Sequence, residues 1–124
     1  MANEDKSPAE VVVAYTNAVR CGDLEALRAL FADDAEMVCR PVDDWLPTGR
    51  MIGADNIVEF YRKLLDAWGG ADPHPGEMMV VGNRVAVEIH AHHADFIDEV
   101  ADFFTIENGK IQRIAVYSGP QHPK

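Results

Sequence analysis

The sequence has few cationic residues, few cysteines and no long hydrophobic run, and each shortage excludes a class of protein. Its 124 residues include 11 Lys and Arg against 21 Asp and Glu, which gives a formal net charge of −10. Nucleic acids and anionic membrane surfaces are bound by clustered cations, so neither is an expected partner. Two cysteines, Cys21 and Cys39, are too few for a disulfide framework and show no metal-ligand spacing.

No apolar run approaches the roughly 20 residues of a membrane span. The first ten residues, MANEDKSPAE, are too polar for a signal peptide, so we expect a cytoplasmic protein. A chain of this length can bury one core but not two. We therefore expect a single domain over residues 7–119, with flexible tails at 1–6 and 120–124.

What the sequence does contain, in its N-terminal half, is the pattern of three amphipathic helices. Ser7-Pro8-Ala9-Glu10 has the form of a capping box with proline at the first helical position. Asp23 caps a second, short helix, and a third begins at Gly53 or Asp55. The three predicted helices end at Gly22, after Phe31 and at Gly69-Gly70.

From residue 73 the hydrophobic pattern changes from helical spacing to alternation. It predicts strands at 78–81, 84–94, 99–107 and 110–118, after an earlier strand at 35–40. Asn108-Gly109 is a strong signal for a type I′ hairpin turn. Helices followed by a run of strands indicate an α+β fold. We expect a cone-shaped, strongly curved antiparallel (mixed) sheet, with the three helices on its concave face enclosing a hydrophobic pocket.

Three segments carry a resemblance to a known family: VAYTNAVRCGDLEALRALFADDAEM, IVEFYRKLL and VADFFTIENGKI. They are similar to parts of the ketosteroid isomerase and SnoaL-like branch of the nuclear transport factor 2-like superfamily. The resemblance extends from Pro8 to about Gly119. It implies proton transfer without a cofactor on a hydrophobic, steroid-like or polyketide-like carbonyl compound. It also implies a homodimer formed through the outer face of the sheet.

The resemblance assigns three polar residues to an oxyanion hole. Tyr15 lies at the position of the hydroxyl donor, Asp102 at that of a carboxylic acid kept protonated, and Tyr61 at that of a supporting tyrosine. Asp102 stands between Val100 and Phe104 on one strand face, so burial should raise its pKa. Singly, each could be a core tyrosine or a solvent-facing aspartate. Their joint occurrence indicates a site.

The general base of the family, an aspartate after the second helix, is missing. The alignment places Cys39 or Arg40 there, depending on its register. Cys39 could act as a thiolate or could be a small buried apolar side chain. Asp43 and Asp44 are the nearest carboxylates, and they could reach the pocket from their loop or stay solvated.

The other predicted site residues form the pocket wall. Trp45 in the same loop is expected as a lid or wall, and no metal or cofactor is expected. The remaining wall residues are Leu30, Phe60, Val100, Phe104, Ile114, Val116 and Ser118.

Three histidines in the stretch AVEIHAHHADF raise the question of a metal site. Strand alternation places Glu88, His90 and His92 on the outer face of the sheet, and His93 with Asp95 near the pocket rim. A metal needs three or four converging ligands, which this pattern supplies weakly. A polar, pH-sensitive dimer surface is the preferred interpretation.

Two alternative functions remain open at the sequence level. One is a dimeric domain of the same fold that binds a small molecule without catalysis. The other is an epoxide hydrolase of the limonene type, which uses an Arg-x-Asp motif on a central strand. The corresponding strand here reads VAVEIHAHH and lacks that motif.

Overall fold

The computed structural model describes residues 6–40 and 49–124, so residues 1–5 of the predicted N-terminal tail lie outside it. Within these ranges no helix is long and apolar enough to cross a membrane. The elements are, in chain order, α1 (Pro8–Cys21), α2 (Leu24–Leu30), β1 (Phe31–Arg40), β2 (Arg50–Ile52), α3 (Ala54–Trp68), β3 (Asp72–Pro75), β4 (Met79–Val81), β5 (Arg84–His92), β6 (Phe96–Glu107) and β7 (Lys110–Pro123).

The ends of α1 confirm the capping signals in the sequence. The Ser7 hydroxyl accepts a hydrogen bond from the Glu10 N–H at 3.2 Å, and the Glu10 carboxylate accepts one from the Ser7 N–H at 2.8 Å. Gly22 closes the helix with φ 65°, the left-handed conformation that glycine adopts without steric cost. Both ends of α1 are therefore set by local sequence.

The second helix is shorter than predicted. Asp23 caps it by accepting from the Ala26 N–H at 3.0 Å, but the helix ends at Leu30 and Phe31 begins β1. Phe31 is fully buried and pairs with Ile111 of β7. This pairing with a strand distant in sequence determines the extended conformation of Phe31. It cannot be predicted from the local helical pattern.

Seven strands form one mixed sheet in the order β2-β1-β7-β6-β5-β3, with β4 paired to β5. The β1–β7 pair is parallel and the other pairs are antiparallel. The three helices pack against this open, curved sheet, which confirms the predicted cone-like α+β fold.

Several strand boundaries were predicted wrongly. Strands β2 and β3 were missed, because β2 has three residues and β3 reads Asp-Pro-His-Pro. Strand β5 ends at His92 rather than at residue 94. Strands β6 and β7 are both longer than predicted, because Phe96 pairs with Pro123 and Ile97 pairs with His122. Residues 120–123, expected as a tail, therefore belong to the sheet.

Candidate active site

A cavity of about 350 Å³ lies between α1, α3 and the inner face of the sheet. Its wall is mostly apolar, with side chains such as Met37, Phe60, Ile89 and Val100. This size and lining suit a small hydrophobic ligand with a few polar groups. The polar side chains that reach the cavity are Tyr15, Cys39, Tyr61, His93, Asp98, Asp102, Ser118 and Gln121.

Two tyrosines meet at one end of this cavity. Tyr15 lies on the buried face of α1 and Tyr61 on that of α3, and their hydroxyl groups are hydrogen-bonded to each other. Burial raises the pKa of both hydroxyls above the ordinary value, so both stay protonated at neutral pH. One of the two hydroxyl protons is used between the tyrosines. The other is free to be donated to a ligand.

Asp102 is buried beside the tyrosine pair. It lies on β6 between Val87 of β5 and Val116 of β7, and only 3% of its surface is exposed. Its Oδ1 atom has no hydrogen-bond partner in the described ranges. Burial, with a smaller contribution from the charge of Asp98, raises the pKa of Asp102 to about 7. A substantial fraction of this carboxyl is thus protonated at neutral pH and can donate a hydrogen bond.

His93 also lines the cavity, just beyond the end of β5. It was predicted near the rim, but it is buried, with 4% of its surface exposed. Its Nδ1 is 2.9 Å from the Gly70 carbonyl oxygen, and its ring contacts the edge of Trp68 at 4.8 Å. Because a carbonyl can only accept, Nδ1 carries the proton. In the neutral ring Nε2 then has a free lone pair.

Asp98, near His93, is one of two polar pocket residues that the sequence interpretation missed; the other is Gln121, which was expected in a tail. Asp98 is 5% exposed, its carboxylate is hydrogen-bonded by the Gln121 side chain, and its Oδ1 has no partner in the described part of the chain. Burial raises the pKa of Asp98, while His93 and Gln121 oppose the rise. Its alternation with Val100 and Asp102 would have identified it, had the strand been predicted to begin at residue 96.

The predicted wall residues divide into two groups. Phe60, Val100, Val116 and Ser118 line the cavity, and so does Cys39, which was considered as a base rather than as a wall residue.

Leu30, Phe104 and Ile114 were predicted as wall residues, but they lie in the core instead. Phe104 and Ile114 pair across β6 and β7 on the inner face. The Tyr15 ring packs edge-on against Phe104 at 5.2 Å, which places Phe104 behind the tyrosine.

Five other residues were considered from the sequence. Asp43, Asp44 and Trp45 lie outside the described residues. Arg40 and Asp95 are exposed and absent from the wall.

The histidine-rich strand presents its polar residues outward, as alternation predicts. Glu88 and His90 are exposed and His92 is half-buried, whereas Val87 and Ile89, which alternate with them, are buried. Within residues 6–40 and 49–124, no group of three or more His, Cys, Asp or Glu side chains is arranged to hold a metal ion.

A family model described as a SnoaL-like domain matches residues 12–114. Among curated protein sequences none matches the chain.

Solved structures with a similar fold include IdmH from Streptomyces antibioticus, a proposed polyketide cyclase. Its TM-score is 0.81 at 18% identity, over 91% of this chain and 92% of that one. A proposed ketosteroid isomerase from Kribbella flavida gives 0.76 at 15% identity, over 91% and 78%. An epoxide hydrolase from M. tuberculosis, similar to limonene epoxide hydrolase, gives 0.72 at 18%, over 90% and 82%. At these identities the likeness shows the fold alone.

Proposed function

The chain belongs to the SnoaL-like family, and from this premise we propose that it is a cofactor-free enzyme that moves a proton on a hydrophobic carbonyl compound. The substrate would be steroid-like or polyketide-like. The reaction would be an isomerisation through a dienolate, or a related cyclisation or dehydration. Fold relatives proposed to be a ketosteroid isomerase and a polyketide cyclase are consistent with this class of chemistry.

One observation carries the proposal: a tyrosine pair with a spare proton and a carboxyl with a raised pKa face the same end of an apolar cavity. A buried donor left without a partner costs free energy, so groups of this kind call for a ligand acceptor. A carbonyl oxygen placed against Tyr15 and Asp102 would receive two hydrogen bonds. Tyr61 would support Tyr15 through the bond between their hydroxyls.

These donors would act at the moment when charge develops on the oxygen. Removal of a proton from a carbon conjugated with the carbonyl sends the electron pair to that oxygen and forms a dienolate. Preorganised donors in a dry site stabilise such an oxyanion by a few kcal/mol each. Reprotonation at another carbon completes an isomerisation. Attack of the enolate carbon on a second carbonyl completes a cyclisation.

Three residues are candidates for the general base that accepts the proton. Cys39 lines the cavity near the tyrosine pair and is one candidate. Asp43 and Asp44 are the others, and both lie outside the described residues. Single substitutions of these three residues, assayed for exchange of the α-hydrogens of 2-tetralone with deuterium oxide, would identify the base.

Binding of substituted phenols, which mimic an enolate oxygen, tests the proposed oxyanion hole. We expect Tyr15→Phe and Asp102→Asn each to weaken binding by tenfold or more, since a hydrogen bond to a charged group contributes about 1.5–3 kcal/mol. Tyr117→Phe and Asp95→Asn are matched controls, because both side chains are exposed and outside the cavity wall. A phenol affinity that is unchanged in both Tyr15→Phe and Asp102→Asn would refute the proposal.

Turnover separates the enzyme from the non-catalytic alternative. Phenol binding that depends on Tyr15 and Asp102, without hydrogen exchange or isomerisation of any tested ketone, would favour a binding domain. The epoxide hydrolase alternative has less support. Its chemistry requires an arginine at the reacting water, and the described part of the cavity wall contains none.

A further inference from the structure

We infer that His93 and Asp98 form a second polar subsite, at the opposite end of the cavity from Tyr15 and Asp102, which binds a hydroxyl group of the ligand. If the proposed function is right, this subsite also defines the substrate class. The substrate would then be an elongated hydrophobic molecule with a carbonyl at one end and a hydroxyl at the other.

The separation of the two ends follows from strand geometry. Asp98 and Asp102 lie on the same strand, four residues apart, and both face the cavity. Four residues of a strand rise by roughly 13 Å. A ligand oxygen held by Asp102 is therefore too far away for direct contact with Asp98. A ligand that contacts both groups therefore needs two separate polar atoms joined by a hydrocarbon segment.

His93 is held as a hydrogen-bond acceptor. The Gly70 carbonyl fixes the proton on Nδ1, and the rings of Trp68 and Phe96, each at 4.8 Å, hold the imidazole plane. Nε2 is therefore an acceptor in the neutral ring. It is buried and has no partner in the described ranges.

Asp98 supplies a second acceptor beside it. Gln121 hydrogen-bonds the carboxylate, while Oδ1 remains buried without a partner. The two unsatisfied atoms do not bond to each other, because neither has any hydrogen-bond partner among the described residues. Two buried acceptors to which the protein supplies no donor are suited to a hydrogen-bond donor from a ligand.

A hydroxyl group is the ligand function that fits this pair. It can donate to one acceptor and, with Asp98 protonated, accept from that carboxyl. A ketone cannot donate at all. The wall between the two ends is apolar, with Phe60, Ile89 and Val100, so the middle of the ligand should be hydrocarbon.

Three steroids separate the two ends of the pocket experimentally. 17β-Estradiol carries a phenol and a distal hydroxyl, estra-1,3,5(10)-trien-3-ol has the phenol alone, and 5α-androstan-17β-ol has the hydroxyl alone. Affinities are measured by calorimetry on the wild-type protein. We expect estradiol to bind about tenfold more tightly than the compound without the distal hydroxyl.

Shape-matched variants then assign the preference to the subsite. Asp98→Leu and His93→Phe should each reduce the estradiol preference to within about twofold, with His92→Phe and Asp95→Leu as controls. The second variant keeps the test valid if the first fails to fold. Tyr15→Phe should weaken both phenols equally and preserve the preference.

Different binding results would contradict the subsite and the proposed oxyanion hole. Equal wild-type affinity for the two phenols, or a preference that survives in both pocket variants, overturns the subsite and leaves the oxyanion hole standing. If 5α-androstan-17β-ol binds and depends on Asp98 while the phenols ignore Tyr15, the subsite stands and the proposed function falls. If none of the three steroids binds, the subsite is refuted, and the binding of substituted phenols alone decides the oxyanion hole.

Discussion

Asp102 couples the chemistry of the pocket to the stability of the protein. Its pKa is about 7 in the folded state and near 3.8 when exposed, so the folded protein keeps this proton longer than the unfolded chain. Stability contributed by this group is therefore present below about pH 4 and is lost as the pH rises to 7. The loss amounts to about 4 kcal/mol.

Asp102→Asn should remove this pH dependence. Asp98 acts in the same direction, while Glu36 and Asp72, whose pKa values are lowered, act in the opposite one. The difference between wild type and variant reports Asp102 together with its electrostatic coupling to Asp98. Urea unfolding between pH 4 and 8 should show the variant gaining stability relative to wild type as the pH rises. Parallel stability curves would contradict the raised pKa.

The same proton should control phenol binding. Because the protonated carboxyl is the donor, wild-type affinity for a phenol should fall as the pH rises above about 7. Tyr15 and Tyr61 stay protonated in this range, since burial raises the pKa of each. Asp98 faces the same cavity, so Asp98→Asn is the control: it should keep the decline but move it to lower pH, because the charge of Asp98 helps to raise the pKa of Asp102. Titration calorimetry from pH 5 to 9 should show that this decline in phenol affinity is absent in Asp102→Asn.

At the scale of elements, the end of α3 fixes the distal part of the pocket. Gly69 and Gly70 both have positive φ, 70° and 85°, and the Gly70 carbonyl accepts from His93. A Cβ at Gly69 would lie 2.6 Å from the Cβ of Ala94, whereas one at Gly70 would meet nothing within 4 Å. Only Gly69 therefore combines backbone strain with a steric clash.

Alanine at the two glycines should have different effects on stability. Gly70→Ala should cost about 1–2 kcal/mol from the backbone alone, and Gly69→Ala should cost more. The double variant Gly69→Ala with Ala94→Gly removes the clash and should recover the excess. The stability of the wild type, the two single glycine variants and the double variant is measured by thermal unfolding. An equal loss at the two glycines, or no recovery in the double variant, would exclude the contact with Ala94 as the cause.

The helices could be predicted from the sequence because their boundaries are encoded locally. The capping box at Ser7 and the glycines after α1 and α3 each lie within one turn of the helix end that they determine. The strands were predicted less well, since their ends depend on partners distant in sequence. Phe96 became part of β6 through its pairing with Pro123, and this brought Asp98 onto the inner face.

The candidate site was predictable to the extent that it follows a family pattern. Tyr15, Tyr61 and Asp102 were identified through the resemblance, and the structure brings them to one cavity. His93 and Asp98 belong to no such pattern. Their burial depends on how β5 and β6 curve over α3, which alternation within a single strand cannot reveal.

At the scale of the molecule, we propose that the outer sheet face forms a homodimer. Phe103 and Tyr117 lie there with 44% and 48% of their surfaces exposed, and their rings pack edge to face at 5.7 Å. Aromatic side chains exposed on a sheet are typical of interface cores. Each protomer carries a formal charge of −10, so association should tighten as salt screens the repulsion.

Sedimentation analysis of substituted proteins tests this dimer. Phe103→Lys should shift the protein to monomer, whereas Val13→Lys, at an exposed site on α1, should not. A wild-type protein that is monomeric at high protein and salt concentration would refute the interface.

The parallel pairing of β1 with β7 sets the order in which the chain can fold during synthesis. Strand β7 is the last element in sequence, yet it occupies a central place between β1 and β6. A ribosome adding about 5–20 residues per second delivers Lys110 several seconds after Arg40. Throughout that interval β1 leaves the exit tunnel with one edge unpaired, and the nascent sheet stands as two halves. Until β7 has been synthesised, β1 therefore has one edge without its native partner.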